Sequence, residues 1–173
     1  MRSSEDIIAE ISACLGWVPA FFIPAQETPH VLENLWQQTV SASINNTLPA
    51  LFKEKLFAYL SRYCTVPYCI ISHSCALLSL GMSARQVLQL LESPAPTREI
   101  EEHLKAIAAS PPLTYLSRAD SALEAAILSC CIYTFLNPHQ DAGCRSEMRR
   151  ILGLSNYNHL IAFLSYVNRA RQG

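Results

Sequence analysis

Between Leu51 and Gly81 the chain reads LFKEKLFAYLSRYCTVPYCIISHSCALLSLG, two apolar runs of helical period that meet at a short break containing Pro67. Proline disfavours the α conformation in the residue before it and is well tolerated in the first turn of a helix. Val66 is therefore expected to be extended and Pro67 to start a second helix that returns along the first. A helical hairpin is the simplest fold open to such a stretch, and the rest of the chain has to pack on it.

The flanking sequence punctuates in the same way. Ser4 is placed to cap a helix carrying Ile7, Ile8, Ile11 and Leu15, and Gly16 to end it. An irregular segment with Pro19 and Pro24 leads to Thr28-Pro29, the start of a helix whose expected buried face is Val31, Leu32, Leu35, Trp36 and Val40; Asn45-Asn46 ends it. Pro49 opens the first helix of the hairpin, and Ser83 caps a helix carrying Val87, Leu88 and Leu91. After the linker SPAPT, REIEEHLKAIAA has the pattern of an amphipathic helix with a solvated charged face, and SPPL breaks the chain again. No Asn-Gly or Asp-Gly hairpin signal occurs, so the expected fold class is all-α, about eight helices around the central hairpin.

Glu54, Cys69 and His73 stand on either side of the Pro67 break. Cys69 falls in the first turn of the second helix, where unpaired N–H groups and the positive end of the helix dipole favour thiolate over a thiol of ordinary pKa, about 8.5. His73 is four residues on, one turn along the same face and within reach of a proton exchanged with the sulfur. The antiparallel return brings Glu54 toward the imidazole, giving a Glu, His, Cys relay. Cys69 also suits a small core residue, and Cys64, Cys69 and His73 also suit zinc, but C-x4-C-x3-H spacing supplies no fourth ligand. No metal and no cofactor are expected.

A Glu, fifteen residues to a Cys and four more to a His, inside a helix-turn-helix, resembles the alkylhydroperoxidase AhpD and carboxymuconolactone decarboxylase family, whose peroxidase branch reads E-x11-C-x-x-C-x3-H. Glu54, Cys69 and His73 match its Glu, second Cys and His without a gap. The position of the first Cys holds Val66, Cys64 lies two residues earlier, and Tyr68 stands where some members carry a further His. GWVPAFF at 16–22 and the Pro-started helix after it look like the entry segment of the peroxidase-related subfamily. The resemblance implies an AhpD-like helical bundle and a homo-oligomer. It also implies thiol-dependent hydroperoxide reduction, with Cys69 as nucleophile, Glu54 and His73 as proton relay, Cys64 as the thiol that condenses with oxidised Cys69, and a thiol reductant. A decarboxylase using only Glu54 and His73 is the second enzymatic possibility, and a redox-sensing or protein-binding module the third. Trp17, Phe21 and Phe22 suit lid-like core packing; Trp17 and Phe21, with Val66 and Tyr68, are the candidates to wall a substrate pocket.

At an offset of 72 residues, Ala50-Leu51 meets Ala122-Leu123, Leu56 meets Leu128, Leu80-Gly81 meets Leu152-Gly153, Ser83 meets Ser155 and Leu88 meets Leu160. These matches sit at helix starts, stops and core positions, as an ungapped duplication would leave them. In that register Glu54, Cys69 and His73 face Ala126, Asp141 and Arg145, so only the first copy is equipped. One domain is expected over 1–173: N-terminal helices at 1–47, the active repeat at 48–92, a connecting helix at 98–109 and an inactive companion repeat at 120–170.

Composition narrows the classes. A chain that is 50% hydrophobic fills a core, and a charged share of 16% is low enough to suggest surface covered in an oligomer. A net charge of −1 without a basic stripe points to neither nucleic acid nor anionic membrane. MRSSEDII is no secretory leader, and AAILSCCIYTFL is short of the roughly 20 residues that span a bilayer. The seven cysteines lack the regular spacing of a disulfide framework, so a cytoplasmic protein with reduced thiols is expected.

Overall fold

The computed structural model describes residues 2–63, 67–141 and 143–172, of 171 and 172 the backbone alone. The described residues are helical, with no strand. They fall into two compact units, Met1–Asn46 and Thr47–Gln172.

In the first unit, α1 (Ser4–Leu15) and α2 (Pro29–Thr39) pack together, with a 3₁₀ turn over Ala20–Ala25 between them in sequence. The cap of α1 is Ser3, one residue earlier than expected: its side chain accepts from the Asp6 N–H, and Gly16 ends the helix in the left-handed region (φ 79°). Pro29 starts α2, which runs into a wider turn over Val40–Ile44 and ends at Asn45. Ile7, Ile11, Phe22, Ala25, Leu32 and Trp36 form the core. The indole N–H of the buried Trp36 donates to Glu10 (2.8 Å) and holds that carboxyl below its usual range. Of Trp17, Phe21 and Phe22, it is Phe22 that packs in the core. Trp17 and Phe21 are each 46% exposed, and Val31, one position before buried Leu32, turns outward.

The second unit begins with the expected hairpin. Pro49 leads α3 (Ala50–Ser61), and α4 (Pro67–Ser79) packs along it. Phe52, Leu56, Tyr59 and Leu60 of α3 are buried, each contributing about 1.5–3 kcal/mol from apolar surface removed from water. Ser83 caps α5 (Ala84–Glu92) through a reciprocal bond with Gln86. Val87 of α5 packs inward while Leu88, about 100° round the helix, is 54% exposed. α6 (Ile100–Ala109) follows the linker, then α7 (Ser121–Leu136), capped by Asp120. α7 is apolar nearly all round because it is the core helix of this unit, with Ile127, Cys130 and Cys131 wholly buried. α8 (Cys144–Gln172) bends at Gly153 (φ 71°, ψ 164°). Arg150 donates to the Ser110 and Ile107 carbonyls at the end of α6 (3.1 and 2.6 Å), tying α8 to it.

The 72-residue offset can be laid on these elements. α3, α4 and α5 correspond to α7 and the two arms of α8, and Gly81 (φ 97°) and Gly153 mark the same joint. No helix among the described residues is long and apolar enough to cross a membrane.

Candidate active site

Glu54 and Phe57, three residues apart, lie on the side of α3 that faces α4. His73 comes from α4 and meets both. Its Nδ1 is 2.7 Å from Glu54 Oε2, and its ring stacks on Phe57 with centroids 3.6 Å apart and planes 24° apart. A carboxylate can only accept, so opposite it Nδ1–H is the donor and Nε2 is the ring nitrogen that points away from Glu54. A hydrogen bond at one edge and an aromatic face below set the imidazole's tautomer and orientation. The site is part-buried, with side-chain exposure of 21% at His73 and 24% at Glu54, so it is open to a small solute but shielded enough to strengthen the pair.

Cys69 is the third residue of α4, in the first turn as expected, and is partly exposed. It precedes His73 by one turn, where side chains are neighbours. The Tyr68 phenol is raised by its own desolvation and by the neighbouring Cys69 charge, and the residue is 42% exposed. Lys53, next to Glu54 in sequence, is a buried cation: desolvation pushes its pKa down against the pull of Glu54. Cys64 and Val66 lie outside the described residues. Trp17 and Phe21 belong to the first unit.

Phe57 was not singled out by the sequence reading. The signal was present: an aromatic three residues after the acid occupies the same helix face and so reaches the same partner. Ala126, the position that meets Glu54 at the 72-residue offset, is buried.

The other thiols divide cleanly. Cys14 and Cys75 are exposed, whereas Cys130, Cys131 and Cys144 are buried. Cys130 donates its S–H to Cys144, which pushes Cys130 up and draws Cys144 down. Cys131 is raised by burial and donates to Met148 Sδ (3.5 Å). Among the described residues no group of three or more His, Cys, Asp or Glu gathers as a metal site requires.

A carboxylate, an oriented imidazole and a helix-start thiol can together shuttle one proton to or from a substrate held at the Cys69 sulfur. Searches against protein-family models, curated proteins and solved structures each return nothing that matches the chain.

Proposed function

We propose that the chain is a thiol-dependent hydroperoxide reductase. The observation that carries this is the Glu54–His73 bond of 2.7 Å, which orients the imidazole one helical turn from Cys69. His73 takes the Cys69 proton as the thiolate forms. The sulfur then attacks the peroxide oxygen, the O–O bond breaks, and the proton passes to the departing alkoxide to give an alcohol and a sulfenic acid. A thiol reductant condenses with the sulfenic acid, releasing water and leaving a mixed disulfide, and a second thiol restores Cys69. Cys64 is the proposed internal partner for the first of these condensations. Membership of the alkylhydroperoxidase and carboxymuconolactone decarboxylase family, a homo-oligomer and a cytoplasmic setting are part of the same proposal.

A second reading draws on the same bond. The carboxylate–imidazole pair forms without any thiol, and general acid–base work on a lactone needs only that pair. Stopped-flow oxidation of the reduced protein by hydrogen peroxide and by an organic hydroperoxide, with intact mass before and after, separates the two. Peroxidase chemistry gives a fast 16-dalton gain or 2-dalton loss, the masses of one oxygen and of two hydrogens respectively. Oxidation no faster than that of free cysteine rejects it, and turnover of carboxymuconolactone by the thiol-blocked protein establishes the alternative.

A further inference from the structure

The companion repeat carries a feature that the relay does not use. Spanning the bend at Gly153 is a groove of about 600 Å³ lined by Asp141, Arg145, Ser146, Arg149, Arg150 and Tyr157. That volume falls within the roughly 300–1,000 Å³ of small-molecule sites. Three guanidinium groups face one carboxylate there, in a chain with only 13 Lys and Arg and a net charge of −1. In the offset register Asp141 and Arg145 take the places of Cys69 and His73, so the groove is the second copy's counterpart of the thiol site with its chemistry replaced.

Each charge in the groove has a distinct status. Arg150 is spent on the end of α6 and on Glu147 (2.8 Å). Arg145 is steadied by the Pro138 carbonyl (2.8 Å) and by Asp141, 3.9 Å from its Nε, while Asp141 also accepts from the Arg145 backbone N–H (3.0 Å). Among the described residues, Arg149 has neither a hydrogen bond nor an ion pair, and it is exposed. Arg145 and Arg149 are four residues apart on one helix face, so two like charges sit together at a cost that an anion between them would relieve. The part-buried Tyr157 phenol, raised by desolvation, feels both cations and stays protonated as a donor at neutral pH.

We propose that this groove binds a small organic phosphate monoester through Arg145, Arg149 and Tyr157. Two planar guanidinium forks and a phenol supply enough donors for the three terminal oxygens of a phosphate, more than a carboxylate's two oxygens use. The site is independent of the peroxidase reading.

The test is calorimetric titration of the full chain, at low ionic strength, with phenyl phosphate, inorganic phosphate and benzoate. Phenyl phosphate is expected to bind saturably with one site per chain, at least about fivefold more tightly than benzoate; loss of one charge-assisted contact in Arg149→Gln should weaken it roughly tenfold. Because Arg149 supports no other residue, circular dichroism of Arg149→Gln should match wild type. Tyr157→Phe should weaken binding about threefold, and Arg98→Gln, an exposed arginine outside the groove, should leave it unchanged. Inorganic phosphate binding as tightly as phenyl phosphate would overturn the organic ester. Wild-type affinity in Arg149→Gln, equal weakening in Arg98→Gln, or no saturable binding of phenyl phosphate would overturn the site.

Discussion

At the 72-residue offset, two stretches of the second unit, α3 to α5 and α7 to α8, can be set side by side, and they differ in what they place at one spot. In the first, α3 brings Glu54 and Phe57 to His73 of α4; at the 72-residue offset, α7 has buried Ala126 at the place of Glu54, the segment before α8 has Asp141 at that of Cys69, and α8 has Arg145 at that of His73. The burial differs in the same sense. Leu152 and Leu160 are 2% and 0% exposed, whereas their counterparts Leu80 and Leu88 are 43% and 54% exposed. Leu152 and Leu160 are spent on the core, and Leu80 and Leu88 are left at the surface.

The largest effect should separate the copies outright. Glu54→Gln and His73→Asn are each expected to slow hydroperoxide reduction by roughly 10²-fold, the scale of losing a positioned acid–base group, while Asp141→Asn and Arg145→Gln stay within about twofold. Comparable losses in both pairs would mean that the register has been misapplied.

Next comes the shared joint. Gly81 and Gly153 both hold positive φ, which costs an L-residue about 1–3 kcal/mol. Gly81→Ala and Gly153→Ala should lower stability by that much each, measured by urea unfolding. A loss at one joint only would break the structural equivalence of the repeats.

Phe57→Leu keeps most of the buried volume but removes the ring beneath His73. Aromatic pairs are worth about 0.5–1.5 kcal/mol, so the rate should fall about threefold to tenfold with KM little changed. A change in KM alone would make Phe57 a substrate contact rather than a positioning residue. The smallest effect joins the copies: Lys55 of α3 and Glu124 of α7 meet at 2.6 Å, each about a quarter exposed, and a double-mutant cycle should find no more than about 1 kcal/mol of coupling.

Helix starts and stops were readable in the sequence because they follow from single residues: Pro49, Pro67 and Ser83 open or cap helices, and Gly16 and Gly81 take left-handed φ. The meeting of Glu54 and His73 was readable too, since a short antiparallel return leaves those positions little else to face. Orientation about a helix axis was harder. Val31 and Leu88 each adjoin a residue that is buried, and periodicity cannot tell which of two neighbouring apolar side chains the tertiary structure will cover. The cationic groove was hidden for a related reason. Arg145, Arg149 and Tyr157 converge only because α8 bends at Gly153, and the register had marked Arg145 merely as a missing histidine.

The central claim is that helix start and imidazole together make Cys69 the reactive thiol. Residue-resolved alkylation of the native, reduced protein at neutral pH, repeated on Glu54→Gln and His73→Asn, tests it most directly. Cys69 is expected to react faster than exposed Cys14 and Cys75 and far faster than buried Cys130, Cys131 and Cys144, and to slow in both variants. Finding Cys69 among the slowest thiols, or at an unchanged rate in both variants, would contradict it.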